Sequence, residues 1–324
     1  MIDKIGRKID YLRISVTDRC NLRCRYCMPE EGVPMAAHDE ILRYHEIMQI
    51  AEAMAELGVQ KIKLTGGEPL VRRNLSALVK ELKELPGISQ VTLTTNGVLL
   101  GEQMDDLAKA GINGINLSLD TLNEERYQQI TRRDAFQKAY EGFQKALEYK
   151  DIPLKVNCVL MDQSLQELCQ LAELSRKHPV HVRFIEMMPI GLGKTFSGMN
   201  EDELLRQLRE KYGQEQVCSQ LLGNGPAHYY SFPGFLGKIG FISAVSHKFC
   251  SSCNRVRLTA QGYLKACLQY ETGKDLRGAL RQGASKEDIK DLIKETLAHK
   301  PECHAFFQED GTNVEQKIMS QIGG

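Results

Sequence analysis

Six of the ten cysteines in this chain of 324 residues fall into two triplets. The first lies in Thr17-Asp18-Arg19-Cys20-Asn21-Leu22-Arg23-Cys24-Arg25-Tyr26-Cys27-Met28-Pro29 and has the spacing Cys-x3-Cys-x2-Cys. The second is Cys250 and Cys253 followed by Cys267, a Cys-x2-Cys-x13-Cys arrangement. Positions i, i+4 and i+7 are also the buried stripe of a helix, and a free cysteine packs as a small hydrophobe. Against packing stand Arg19, Arg23 and Arg25 among the first cysteines and Pro29 closing the segment. Zinc is a second reading. It prefers four closed ligands in a structural role, and the fourth would come from His38 or His45 in the first set, and from His247, Cys303 or His304 in the second. Iron–sulfur clusters are a third. Thiolates are their usual ligands, and three of them leave one iron of a four-iron cluster open to a small molecule.

Other residues carry weaker chemistry. Thr65-Gly66-Gly67-Glu68-Pro69 joins paired glycines, which let a backbone approach a ligand, to a carboxylate able to accept from an ammonium. Arg255 and Arg257 are alternate residues beside the second triplet, and such a pair clamps phosphate or carboxylate, each charge-assisted contact contributing about 1.5–3 kcal/mol. Gly191-Leu192-Gly193-Lys194-Thr195 has the ending of a phosphate-binding loop, but its required first glycine is Met188, so it is set aside.

These residues need a scaffold, and the hydrophobic rhythm supplies one. Strands are predicted at Tyr11–Val16, Lys61–Thr65, Val91–Thr95, Gly114–Asp120, Leu154–Leu160 and His181–Met187, separated by segments of helical spacing. Ile47, Ile50, Ala51, Met54 and Leu57 form one apolar stripe, closed by Gly58. Further helices are predicted from Ala135 to Lys150 and from Leu165 to His178. Six βα units predict an α/β fold, an incomplete (βα)6 TIM-type barrel, although a doubly wound sheet has the same local pattern. In both, chemistry gathers at the carboxyl ends of the strands. The rhythm breaks after Asn200. We therefore expect a barrel over 1–200 and a C-terminal region over 201–324, with helices near Glu201–Tyr212, Lys274–Arg281 and Ser285–Lys300, a Gly/Pro-rich stretch over 222–240, short strands such as Arg255–Thr259, and a polar tail ending in Gly323 and Gly324.

Composition narrows the function. Lys plus Arg (42) balances Asp plus Glu (42), so no global basic field for nucleic acid exists, and an anion must be held by local cations. No apolar run is long enough to span a bilayer. The first residues show neither an apolar segment nor a cleavage site, which predicts a cytoplasmic protein whose cysteines serve metal or catalysis rather than disulfides.

Cys-x3-Cys-x2-Cys after a first strand, with Tyr26 beside the last cysteine, resembles the radical S-adenosylmethionine (radical SAM) superfamily. Leu12-Arg13-Ile14-Ser15-Val16-Thr17-Asp18-Arg19-Cys20-Asn21, the segment Phe249–Thr259 with Cys267, and the Gly323-Gly324 ending resemble the GTP 3′,8-cyclase family over essentially the whole length. That resemblance implies two [4Fe-4S] clusters, on Cys20, Cys24 and Cys27 and on Cys250, Cys253 and Cys267, with S-adenosylmethionine as cosubstrate. It places Tyr26, Gly67, Ser118 and Met188 at the cofactor. GTP is placed at Arg13, Lys63, Thr94, Lys155, Arg255, Val256 and Arg257, with Lys63 where Arg is usual. Arg255, Arg257, Gly323 and Gly324 are implied in catalysis. The implied reaction removes hydrogen from C3′ of GTP, joins C3′ to C8, and yields (8S)-3′,8-cyclo-7,8-dihydroguanosine 5′-triphosphate on the way to molybdopterin. Also implied are an electron donor, transfer of product to cyclic pyranopterin monophosphate synthase, and a monomer or homodimer. Other readings are a different radical SAM enzyme with an auxiliary cluster, such as one modifying peptides, and a zinc-stabilised module without catalysis. Iron and sulfide analysis after anaerobic reconstitution separates them: two four-iron clusters require about eight irons per chain, whereas colourless protein carrying only zinc removes the radical chemistry.

Overall fold

A computed structural model describes residues 1–220, 222–306 and 314–323. Every predicted strand of the first part forms: β1 Tyr11–Ser15, β2 Lys61–Thr65, β3 Gln90–Thr95, β4 Ile115–Ser118, β5 Leu154–Val159 and β6 His181–Ile185. Between them run α1 Tyr44–Glu56, α2 Leu75–Glu84, α3 Leu100–Lys109, the pair α4 Glu124–Thr131 and α5 Phe136–Leu147, and α6 Leu165–Lys177. Local chemistry sets their ends. Ser164 caps α6 in a capping box with Glu167, and Gly58 leaves α1 with φ of 98°, in the left-handed region that favours glycine. The predicted apolar stripe of α1 is real, with Ile47, Ile50, Ala51 and Met54 fully buried.

The six strands lie side by side in chain order, all parallel. A doubly wound sheet reverses its strand order part-way; this one does not. The fold is α/β with a mostly parallel sheet.

The C-terminal part extends the same sheet at both margins. After α7 Glu201–Tyr212, the strands β7 Gln216–Cys218, β8 His228–Ser231 and β9 Ile239–Ile242 form a meander whose last member pairs parallel with β6. On the other side β10 Arg255–Leu258 pairs parallel with β1, and β11 Tyr263–Lys265 and β12 Gly273–Asp275 follow antiparallel. α8 Leu276–Arg281, α9 Lys286–Ala298 and α10 Met319–Ile322 complete the chain. The predicted helix over Lys274–Arg281 begins two residues late because Lys274 is part of β12. The short strand predicted at Arg255–Thr259 forms as β10, but its parallel pairing with β1 and that of β9 with β6 are not legible in the chain rhythm, since each strand is separated from its neighbour by an irregular connection. Among the described residues no helix is long and apolar enough to cross a membrane.

Candidate active site

The parallel strands do not read as the continuous apolar runs usual when both faces are buried. They alternate. Leu12, Ile14, Ile62, Leu64, Val91, Leu93, Leu117, Val156, Val182 and Phe184 are fully buried in the main core, while the residues between them line one cavity of about 620 Å³. That wall carries Arg13, Lys63, Thr94, Asn116, Ser118, Lys155, Asn157, Arg183, Arg255 and Arg257. Register aligns them: Arg257, Arg13 and Lys63 are successive cross-strand partners, as are Thr94, Asn116 and Lys155. Both cysteine triplets open into the same cavity.

The triplets stand at opposite ends of the strands. Cys20, Cys24 and Cys27 follow β1 at its carboxyl end, as expected. Cys250 and Cys253 precede β10, and Cys267 follows the antiparallel β11 back to that side, so the second set lies at the amino ends. Expecting all chemistry at the carboxyl ends misses this, because β10 enters the sheet from a long connection rather than from a βα unit. β1 has five residues, so roughly 16 Å of strand, at about 3.3 Å per residue, separates the two levels.

The first loop is gripped from below. A Cβ on Gly66 would meet the Thr17 carbonyl oxygen at 2.5 Å, and one on Gly67 the Arg19 oxygen at 2.3 Å. These glycines admit the backbone of the cysteine loop, and both also line the cavity. Glu68 lines the same cavity. Its buried carboxylate accepts from Leu70 N–H (3.0 Å), Thr95 Oγ1–H (2.7 Å) and Asn96 N–H (2.7 Å), so it braces the loops after β2 and β3; burial pushes its pKa up to about 7 despite these donors. Asn96 reaches on to Asn21 (2.7 Å) and the Cys20 sulfur (3.9 Å). Tyr26 donates to Asp120 at 2.9 Å, and the other Asp120 oxygen accepts from Val159 N–H at 2.8 Å. Burial drives the Cys20 thiol up to about 11 and Cys27 to about 12, and Cys24 well above its ordinary value. Buried thiols of this kind ionise when a metal cation replaces the proton, which suits a cluster.

The second loop is held by two side chains without sequence motifs. Arg7, paired with Asp3, donates to the carbonyls of Cys250 (2.8 Å), Pro301 (2.8 Å) and Glu302 (3.1 Å). Lys300 donates to those of Arg255 (2.8 Å) and Ala266 (2.6 Å). Burial opposes the Cys253 thiolate, but Lys300 and Arg255 outweigh it and lower the thiol to about 7. The candidate fourth zinc ligands are elsewhere engaged or exposed: His38, His45 and Cys303 are exposed, His247 faces Glu201 at 3.6 Å, and His304 Nε2 bonds the Ala244 carbonyl at 2.6 Å. Among the described residues no three Cys, His, Asp or Glu side chains converge on a single-ion site. All ten cysteines are free.

Between the triplets lies a wall of cations. Among the described residues Lys63, Lys155, Arg183, Arg255 and Arg257 form no ion pair with a carboxylate. Burial, then Arg183, Arg13 and Lys155, hold Lys63 well below the usual lysine range, and burial and Arg183 lower Lys155 to about 8. Arg183 bonds Asn157 at 2.8 Å. Sequence reasoning missed Arg183, Asn116 and Asn157, and the signal that finds them is polar residues at alternate positions of strands otherwise buried. Met188 and Ser118 line the cavity, as does Tyr26. Val256 does not: its side chain is in the core on the opposite strand face, which keeps Arg255 and Arg257 together and leaves Val256 away. Gly323 is buried and its carbonyl accepts from Arg257 at 2.8 Å. Gly324 lies outside the described residues.

Residues 14–175 match the Radical SAM superfamily and residues 180–306 match Molybdenum Cofactor Synthesis C. The solved structure of SuiB from Streptococcus suis covers 91% of this chain and 67% of its own with a TM-score of 0.61 at 15% identity. Its complex with S-adenosylmethionine gives 93%, 77%, 0.60 and 14%; at such identity the fold is what is shared. Fold and cavity together define a radical SAM enzyme. The GTP 3′,8-cyclase of Desulforamulus reducens is 45% identical over 328 residues, and that of Clostridium perfringens 42% over 325, each alignment spanning all of both chains. The chain belongs to the GTP 3′,8-cyclase family. Gly67→Ala tests the loop packing: the added methyl meets only backbone, so we expect a loss of about 1–3 kcal/mol in denaturant unfolding together with iron incorporation reduced toward half.

Proposed function

We propose that this enzyme converts GTP to (8S)-3′,8-cyclo-7,8-dihydroguanosine 5′-triphosphate, the first step of molybdenum cofactor biosynthesis. The observation that carries the reading is that both cysteine triplets and a row of cations face one cavity in a chain alignable end to end with GTP 3′,8-cyclases. In this reading the first 200 residues form an incomplete (βα)6 barrel and residues 201–324 supply its second cluster site and closing tail. Cys20, Cys24 and Cys27 hold one [4Fe-4S] cluster, and Cys250, Cys253 and Cys267 the other. Bound to the first, S-adenosylmethionine would supply the radical chemistry that joins C3′ of GTP to C8.

The chain's own residues aim and enclose that chemistry. Tyr26, Gly67, Ser118 and Met188 border the cofactor, with Gly67 acting through the loop it admits. Arg13, Lys63, Thr94, Lys155, Arg255 and Arg257 take the nucleotide, joined by Arg183. Val256 supports the strand that presents Arg255 and Arg257. Lys63 lacks the guanidinium fork, so it contributes charge without bidentate geometry. Burial keeps water from the polar wall, which strengthens each phosphate contact. Gly323 closes the chamber beside Arg257, and Gly324 is assigned to catalysis with it. An external electron donor, cytoplasmic location, a monomer or homodimer, and passage of product to cyclic pyranopterin monophosphate synthase complete the proposal.

An anaerobic assay of 5′-deoxyadenosine release with and without GTP tests the substrate. We expect release coupled to GTP and one cyclised nucleotide per deoxyadenosine; release indifferent to GTP points instead to a peptide-modifying relative. Proton linkage gives a second test. Lys155, held near 8 when the site is empty, regains full charge beside a triphosphate, so binding takes up a proton above that pH. GTP affinity measured by calorimetry should weaken as pH rises from 7 to 9, by up to about tenfold per unit for each lysine involved, and Lys155→Met should flatten the dependence.

A further inference from the structure

The carboxyl-terminal segment is attached to the molecule in an unusual way. Lys265 on β11 is the direct cross-strand partner of Arg257 on β10. Arg257 donates to the carbonyl of Gly323, while the Lys265 ammonium pairs with the carboxylate of Glu315. Residues 315–323 thus leave and rejoin one rung of the sheet, each end tied to one of two neighbouring cations. Both members of the outer pair are buried, Lys265 at 1% and Glu315 at 4% exposure. Glu315 is itself fixed, its N–H donating to the Gln269 carbonyl at 2.6 Å and its second oxygen accepting from Lys317 N–H at 2.8 Å.

The loop between these ties touches both ends of the cavity. Val314 bridges to Tyr270, just beyond Cys267. Ile318 packs against Gly191 in the connection after β6, where any Cβ would sit 3.1 Å from its Cα. Met319 lines the cavity, and Ile322 is buried with Ile190 and Leu268. Apolar contacts alone, such as those of Met319 and Ile322, tolerate sliding by a residue. A buried ion pair does not, because a slipped register strands both charges without water.

We propose that Lys265 and Glu315 are positioning residues: their buried pair sets the register of the terminal segment, so that Met319 faces the cavity and Gly323 meets Arg257. This rests on the proposed function for its catalytic consequence and on geometry alone for the tie. The clasp acts on the segment and touches no reacting atom.

Hydrogen–deuterium exchange and turnover are measured on the reconstituted full chain, wild type, Glu315→Gln and the double variant Lys265→Met/Glu315→Met. Glu315→Gln should speed exchange of residues 314–323 roughly tenfold or more, with α1 to α6 unchanged, and lower kcat for GTP cyclisation by a similar factor. The double variant, which fills the site without charge, should keep the wild-type thermal midpoint within a few degrees yet retain fast exchange and low kcat. Unchanged exchange in Glu315→Gln overturns the clasp. So does a double variant that restores both exchange protection and turnover, since adhesion and not charge would then set the segment. Faster exchange with unaltered kcat overturns the positioning role. If wild type makes no cyclised nucleotide while exchange responds as stated, the tie stands and the GTP reading falls.

Discussion

Buried positive charge, meeting no carboxylate at Lys63, Lys155, Arg183, Arg255 or Arg257 among the described residues, is the constraint around which this molecule is organised. Removing a cation from water costs several kcal/mol even after relaxation, and here Lys63 and Arg257 are less than a tenth exposed, with Lys155, Arg183 and Arg255 beside them. Burial and, after it, neighbouring cations such as Arg183 lower the pKa of both Lys63 and Lys155. Such a wall is stable only because a rigid sheet and its helices hold it apart from solvent and from carboxylates. Its electrostatic deficit is what a polyanion relieves. Binding energy for a triphosphate is therefore stored in the fold before the ligand arrives, as unsatisfied charge rather than as strain.

Holding that wall requires a sheet that is hollow on one side. Alternation within parallel strands turns Leu12, Ile62, Val156 and Val182 outward under the helices and Arg13, Lys63, Lys155 and Arg183 inward. Polar inner residues also explain why the sheet accepts partners at both margins. β9 and β10 bring further apolar backs and polar fronts, and β10 delivers Arg257 directly opposite Arg13. One consequence is a cavity with a thiol set at each end of the strands and the cations between, which gives a nucleotide two ends to meet.

The loops at these two ends are positioned by atoms with little chemistry of their own. Gly66 and Gly67 are narrow enough for the cysteine loop to lie against them, and Glu68 spends its charge on backbone and hydroxyl donors. At the far end Arg7 and Lys300 tie carbonyls that flank Cys250, Cys253 and Cys267. In both places the residues that hold iron on our reading depend on residues that touch none.

Much of this was legible in the sequence. The strands β1 to β6 follow from runs of apolar residues bounded by turns, and their helices from stripes such as Ile47, Ile50 and Met54, because periodicity is a local property of the chain. Both cysteine triplets, and Arg255 with Arg257, announce themselves by spacing, for the same reason. Other features depend on contacts between residues far apart in sequence. No local pattern places Arg7 beside Cys250 or pairs Lys265 with Glu315, and none reveals that β9 and β10 flank β6 and β1. Whether a polar strand residue such as Asn157 or Arg183 faces ligand or solvent is likewise decided only when neighbouring strands close around it. Residue type and spacing determined what chemistry the chain could perform; pairing across long connections decided where the groups meet, since hydrogen-bonded register and burial exist only between segments already brought together.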